Sequence, residues 1–267
     1  MNAAGLKKIV VIGAGKLAHH LAAVLIKKGH EIIQVVGRSE KATKEMGMKF
    51  FTSHTVNIKE LNLNADIYII CVNDESIAPV AASLKLKNKL VLHTSGSIDI
   101  EVLKKTSAKY GVLYPLQTFT AGTKIKWSKT PLLIEANNAQ ARTALNQFAS
   151  SLSKEVSVLD SNQRLKLHLA AVFACNFSNH LYTLSQQYLE AEGINLFHLL
   201  QPLIQQTAKK IKTINPSAAQ TGPAVRKDKI IIEKHLKLLN KYKTHKEIYH
   251  LFSKSIQQLS IAEKGKQ

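Results

Sequence analysis

Two cysteines in 267 residues are too few for a disulfide scaffold, and no Cys/His cluster surrounds them to make a zinc-type ligand set, so no metal site is expected. Cys71 and Cys175 each lie in an apolar run, the setting of a buried thiol in a reducing compartment. Acidic residues are scarce: 18 stand against 37 Lys and Arg, for a net charge of +19. Strong positive charge is one footprint of nucleic-acid binding. Here the excess is spread: residues 1–157 carry 21 basic and 11 acidic side chains, and residues 158–267 carry 16 and 7. With no basic tail, this reads as a solvated lysine surface that draws in anionic ligands, without specific nucleic-acid binding. No stretch holds 18 consecutive apolar residues, so no transmembrane helix is expected. The opening Met1-Asn2-Ala3-Ala4-Gly5-Leu6 lacks the apolar core of a signal peptide, and the expected location is the cytoplasm. No linker rich in Gly, Ser or Pro and no internal repeat divides the chain. Arginine is rare too, four against 33 lysines, so each one draws notice.

What is present begins at Lys7-Lys8-Ile9-Val10-Val11-Ile12-Gly13-Ala14-Gly15-Lys16-Leu17-Ala18. An apolar, β-branched run breaks into a GxGxxA turn, and a helical pattern (Leu17, Leu21, Val24, Leu25) follows. Gly29 ends that helix, and a second strand, Ile32–Val36, comes next. In this context the turn is a dinucleotide fingerprint. Gly13 takes the tight turn, Gly15 leaves the backbone bare for a pyrophosphate, and Ala18 lets helix and strand pack closely. The phosphates would sit on free N–H groups of Ala14, Gly15, Lys16 and Leu17 at the helix start. An NAD-type site wants Asp or Glu at the end of the second strand. Here the strand ends Gly37-Arg38-Ser39: Gly37 would leave room for a 2′-phosphate, Arg38 would pair with it or stack on adenine, and Ser39 would donate a hydrogen bond. The expected cofactor is NADP(H).

Strand and helix patterns alternate up to Asp160, which predicts a doubly wound parallel sheet of Rossmann type over residues 1–160. Phe50-Phe51 reads as a short third strand, Ala65–Val72 as the fourth and Leu90–His93 as the fifth. Gly111–Tyr114, Pro131–Ala136 and Val156–Leu159 extend the sheet. From residue 161 to 267 the periodicity is helical throughout, which predicts an all-α domain; it is expected to serve substrate binding and, from the length of its first helix, dimerisation. Its first helix, about Asn162–Glu190, would be roughly 40 Å long at 1.5 Å per residue.

In doubly wound sheets the ligand lies over the C-terminal strand ends. Beyond the two turns above, these ends hold Val72-Asn73-Asp74 and Thr94-Ser95-Gly96, which should flank the nicotinamide side. Asp74 has a second reading as a helix cap. Gln117 and Thr118, a polar pair in an apolar stretch, would line a substrate pocket or satisfy loop backbone. On the long helix His168 and Asn176 stand eight residues apart, on adjacent faces, among apolar neighbours; polar groups there need partners. Arg226, in Thr221-Gly222-Pro223-Ala224-Val225-Arg226-Lys227-Asp228, would clamp an anionic group or pair with Asp228 to hold its loop.

GAGKLAHHLA, VGRS, HTSGS, YPLQTF, HLAAVFACNF and TGPAVRKD occur in that order along nearly the whole chain. This series resembles proteins that join a Rossmann-like domain to a helical domain of unknown function and are labelled NADP oxidoreductases. Their wider kin are deazaflavin-dependent NADP reductases, pyrroline-5-carboxylate reductases and 6-phosphogluconate-type dehydrogenases. The resemblance implies a helical C-terminal domain and a homodimer formed through it. It also shows a departure. The β-hydroxyacid dehydrogenases keep a catalytic Lys with Asn four residues on, whereas four residues after Lys166 stands Ala170.

These observations point to an NADPH-dependent oxidoreductase that passes hydride to a small anionic carbonyl or imine compound. His168 would give the proton, Asn176 and Ser95 would orient the substrate, and Arg226 would hold its charge. The alternative is a non-catalytic NADP-binding sensor or dimeric scaffold.

Overall fold

The computed structural model describes residues 5–264. Residues 1–4 of the N-terminal segment read above lie outside them. The chain divides into two compact units, one up to Ala174 and one from Cys175 on.

The first unit runs β1 (Lys8–Ile12), α1 (Lys16–Lys27), β2 (Glu31–Val36), α2 (Glu40–Lys49), β3 (Ser53–Thr55), β4 (Ile67–Ile70), α3 (Asp74–Ser83), β5 (Leu90–His93), β6 (Lys109–Pro115), β7 (Leu132–Ala136), α4 (Ala139–Leu152), β8 (Val156–Val158) and α5 (Ser161–Ala171). The eight strands form one sheet in the order β3-β2-β1-β4-β5-β6-β7-β8. Alternate residues of the central strands feed two separate cores. Ile9, Val11, Ile67 and Ile69 pack with α1 and α4, while Val10, Ile12, Tyr68 and Ile70 pack with α3. That two-sided burial explains why these strands read as unbroken apolar runs. Each fully buried Val or Ile contributes about 1.5–3 kcal/mol.

The chain winds outward from β1 in both directions, so strand order reverses between β1 and β4. A crevice opens at such a switch point beyond the carboxyl ends of the strands. This is the doubly wound Rossmann-like fold expected from the alternation, with two corrections. β7 runs antiparallel to β6, because the 116–131 connection holds only a short 3-10 turn at Trp127–Lys129 and no crossover helix to return the chain to the same end. The third strand is Ser53–Thr55, not Phe50-Phe51. Phe50 closes α2, and Phe51 takes a left-handed backbone (φ 53°) with 97% of its surface exposed.

The helical series after residue 160 is borne out, with an interruption. The α5 helix passes into a π-helical stretch, Val172–Phe177, and α6 (Ser178–Ala191) follows. A π segment changes the residues per turn, so the regular spacing assumed for His168 and Asn176 does not run through it. Cys175 lies here and is exposed, contrary to the expected buried thiol; Cys71 is buried as expected. The second unit continues with α7 (Gln201–Lys210), α8 (Lys229–Leu238) and α9 (Lys243–Lys264). Among the described residues no helix is long and apolar enough to cross a membrane.

Candidate active site

β1 ends at Gly13, whose φ of +122° and contacts both demand glycine: a Cβ there would meet the Cys71 carbonyl oxygen at 2.2 Å. The Gly13 N–H donates to the Val36 carbonyl at 2.7 Å, which ties the turn to the end of β2. Gly15, the N-cap of α1, differs: a Cβ there would meet nothing within 4 Å. No side chain caps α1 and no acidic residue lies in its first turn. The first N–H groups of this helix thus face open space with a positive dipole end behind them. By contrast α2, α4 and α5 are closed by Ser39, Asn138 and Asp160.

In front of this turn lies a cavity of about 620 Å³, walled by Gly13, Ala14, Gly15, Gly37, Arg38, Ser39, Val72 and Asn73. Eight of the residues singled out from sequence are therefore brought together around one space. Val56, Ile58, Pro79 and Val80 complete an apolar side of it that carried no sequence signal beyond ordinary hydrophobicity. Its size suits a cofactor site. Gly37 has a reason other than the one expected. A Cβ there would stand 2.2 Å from Thr43 Oγ1, so the space beside it is taken by Thr43, whose hydroxyl donates to the Ser39 carbonyl at 2.7 Å. Ser39 caps α2 by accepting from the Ala42 N–H at 3.4 Å. Arg38 is exposed at the cavity wall.

The remaining expected cofactor residues lie outside that wall. Lys16 is exposed in the first turn of α1, and Leu17 packs on the core. Asn73, not Asp74, is the N-cap of α3; Asp74 accepts a hydrogen bond from Ser97 Oγ. Thr94 is buried and donates to the Ile70 carbonyl at 3.2 Å. Ser95 is buried as well, and its hydroxyl is used by its own loop: it accepts from the N–H groups of Ser97 (3.0 Å) and Ile98 (3.1 Å). Its backbone N–H donates to His93 Nδ1 at 3.2 Å. Burial first, and then the charge of Arg164, bring the His93 pKa down to about 3, so this ring is neutral.

Gly96 reaches the most reactive group of side chains. A Cβ on it would lie 2.7 Å from His168 Nδ1 and 2.8 Å from Tyr114 Cζ. Those two side chains hydrogen-bond, Tyr114 Oη to His168 Nδ1, at 2.9 Å. Burial, followed by the charge of Asp74, pushes the Tyr114 phenol pKa up. His168 is carried here by Arg164, one turn earlier on α5. Arg164 is 1% exposed and bonds Glu135, the Ile98 carbonyl and Ser161 Oγ. Tyr114, Arg164 and Glu135 escaped the sequence reading. The clue was the four-residue step from Arg164 to His168, which puts both on one helical face.

Gln117 and Thr118 are exposed, and Gln117 Oε1 accepts from the Thr118 N–H at 2.8 Å. Next to them the Thr120 carbonyl meets His20 Nε2 of α1 at 3.0 Å. Asn176 and Arg226 belong to the second unit, and both are exposed. Asp228 does not hold Arg226. It caps α8 through the Ile231 N–H at 3.2 Å, and the ion pairs among the described residues are Arg164–Glu135 and Lys241–Glu192.

Comparison with known proteins fits this geometry. Residues 8–96 match the family described as NADP oxidoreductase, coenzyme F420-dependent, and residues 130–256 match a domain of unknown function, DUF2520. A solved structure from Bacteroides fragilis, described as a "putative NADP oxidoreductase", shares 38% identity over 95% of this chain and 98% of that one, with a TM-score of 0.90. An imine reductase from Myxococcus stipitatus, solved with NADP⁺, shares the fold at 17% identity (TM-score 0.66, covering 96% of this chain and 94% of that one). A curated glutamyl-tRNA reductase from a Picosynechococcus strain is 34% identical over 155 residues. That match spans 56% of this chain and only 34% of the relative. The chain belongs to the NADP oxidoreductase family in which this N-terminal domain is joined to DUF2520. Nicotinamide-dinucleotide-dependent oxidoreduction is the chemistry of that family.

Proposed function

We propose that this protein is an NADPH-dependent reductase of a small anionic imine or carbonyl compound. The observation that carries the reading is the cavity of about 620 Å³ between the uncapped start of α1 and the Gly37-Arg38-Ser39 turn. The residues fit a dinucleotide. Ala14, Gly15, Lys16 and Leu17 offer backbone N–H groups to the pyrophosphate, and Gly13 makes that turn possible. Arg38 pairs with the 2′-phosphate of NADP(H), and Val72, Asn73, Asp74, Thr94 and Gly96 border its nicotinamide end. When bound, the nicotinamide supplies a hydride to an electrophilic carbon. The chain's own residues supply the rest. His168 donates a proton to the nitrogen or oxygen of the reduced double bond. Ser95 works through its loop, setting Gly96 against His168. Gln117 and Thr118 border the substrate. Two copies of the chain pair through their helical units.

The meeting of His168, Tyr114 and Gly96 at the strand ends supports an enzyme over a passive binder of NADP. The test is NADPH consumption by purified protein against pooled keto acids and cyclic and acyclic imines. One pool should be reduced, and His168→Ala should lower that turnover by about 10²–10⁴, the range of a general acid, with NADPH affinity unchanged. Tight NADPH binding with no turnover in any pool would favour the non-catalytic sensor.

A further inference from the structure

The basic excess is spread along the sequence, but in the fold part of it gathers. The cofactor cavity lies at the carboxyl ends of the strands. At their amino ends two neighbouring loops bring six lysines together. Residues 84–89 lead into β5 and carry Lys85, Lys87 and Lys89; residues 104–109 lead into β6 and carry Lys104, Lys105 and Lys109. The loops are bonded to each other. The Leu86 N–H donates to the Thr106 carbonyl at 2.7 Å and the Ala108 N–H to the Lys87 carbonyl at 2.6 Å, and Lys85 Nζ reaches the Lys105 carbonyl at 3.4 Å. Neither loop holds an Asp or Glu. We propose that this amino-end rim of the sheet docks on the anionic headgroups of a lipid bilayer, with the cofactor cavity turned away from it. The inference is independent of the reductase reading.

The fold itself does not account for these lysines. A helix dipole favours cations only within its last turn, and neither α3 nor the 3-10 turn Ile100–Leu103 has a basic residue there. Ion pairing does not hold them: among the described residues the ion pairs are Arg164–Glu135 and Lys241–Glu192. The flanking acids are engaged, Glu101 by the Tyr110 hydroxyl at 3.3 Å and Asp66 by the Lys8 N–H at 2.9 Å. Lys87 even takes a left-handed backbone (φ 49°), where glycine or asparagine would be relaxed. Like charges set this close repel one another, and an anionic surface relieves that repulsion.

The apolar part of the rim selects the partner. β4 starts between β1 and β5: the Asp66 N–H donates to the Lys8 carbonyl at 2.8 Å, and the Asp66 carbonyl accepts from the Leu90 N–H at 3.2 Å. Just ahead of β1 and β4 stand Leu6 and Leu63, 75% and 61% exposed. Aliphatic side chains among lysines suit a membrane surface, where the charges meet headgroups and the apolar tips enter the boundary beneath. A nucleic acid would engage the lysines but leave the leucines in water, since its bases stack on aromatic rings. A second copy docked rim to rim would set lysine against lysine.

Co-sedimentation of the full chain with vesicles tests this. At about 0.1 M salt, where the screening length is about 10 Å, the chain should bind vesicles of phosphatidylcholine mixed with phosphatidylserine and not phosphatidylcholine alone. Each lysine at such a surface strengthens binding about fivefold, so Lys87→Gln, Lys104→Gln and Lys105→Gln together should weaken it by about tenfold or more. Lys209→Gln, Lys212→Gln and Lys237→Gln remove the same charge from exposed positions of the helical unit and should leave binding nearly unchanged. Leu6→Ser with Leu63→Ser should weaken it at constant charge. Urea midpoints matching the parent's show that the variants are folded. Equal losses in the two lysine variants overturn the proposal, because net charge alone would then be acting. Binding that ignores phosphatidylserine overturns it too, as does no loss in the leucine variant. So does a mixed-sequence single-stranded DNA that, per anionic charge, binds more tightly than these vesicles at the same salt.

Discussion

Arg38 stands exposed on the cavity wall, where a pairing with a 2′-phosphate would be charge-assisted and bidentate. Losing such a contact costs roughly 1.5–3 kcal/mol. Calorimetry should therefore show Arg38→Ala weakening NADPH by about tenfold or more, with NADH nearly unchanged; an equal loss for both would mean that Arg38 reads something other than the phosphate. His93 allows a prediction about pH. Its folded pKa is about 3, against roughly 6.5 in an unfolded chain. The unfolded state thus takes up the proton first as pH falls. The stability that the neutral ring carries is fully present above pH ~6.5 and is lost progressively toward pH 3. By linkage the unfolding free energy in urea should be about 2 kcal/mol lower at pH 5 than at pH 7.5 from this group alone, and His93→Gln should remove that slope. The arginines show how far single residues were legible. Arg38 was found because it ends a strand at a fixed distance from the glycine turn. Arg226 drew attention because it lay in a turn-rich loop, whereas the buried arginine is Arg164. Its partners Glu135 and Ile98 lie 29 and 66 residues away, and nothing local records a contact made across a sheet.

At the scale of elements, legibility followed burial. The strands buried on both faces, β1, β4 and β5, carry unbroken apolar runs and lie where the pattern put them. The Phe50-Phe51 pair misled because an aromatic dipeptide after a helix reads as a strand, while the real β3, Ser-His-Thr, pairs at the sheet edge and is not buried. The antiparallel β7 was invisible for another reason: strand direction is set by the connection, and the 116–131 loop has no helical period to show its lack of a crossover. The turn after β2 offers a test of why glycine stands there. Because a Cβ on Gly37 would collide with Thr43 Oγ1, Gly37→Ala should destabilise the fold by about 1–3 kcal/mol, as overpacking does. Gly37→Ala combined with Thr43→Ala, which clears the hydroxyl, should recover part of that loss in a urea double-mutant cycle. Additive losses would show that the glycine serves the ligand's space rather than the helix packing.

For the whole molecule the open question is how the helical unit is stabilised. The first unit has two extensive cores. From Cys175 on, Leu184 and Ala224 alone are buried among the described residues, while Leu199, Leu203, Ile230 and Leu251 each leave more than 60% of their surface exposed. A unit of this length with so little buried apolar surface cannot offset the entropy of ordering its chain. Patches of large exposed aliphatic side chains on helices usually meet another protein surface, and closed two-fold pairing is the commonest arrangement. A second copy burying about 1,200–2,000 Å² in total would supply the missing core. Light scattering at micromolar concentration should therefore give twice the 29.5 kDa chain mass. Leu199→Glu together with Leu203→Glu, two charges on neighbouring turns of the exposed apolar surface, should shift that mass toward the monomer and lower the thermal midpoint. The glycine-turn cavity lies wholly in the first unit, so NADPH affinity should be retained. A monomer at all concentrations, with the helical unit cooperatively folded, would show that these few buried residues suffice and would remove the dimer.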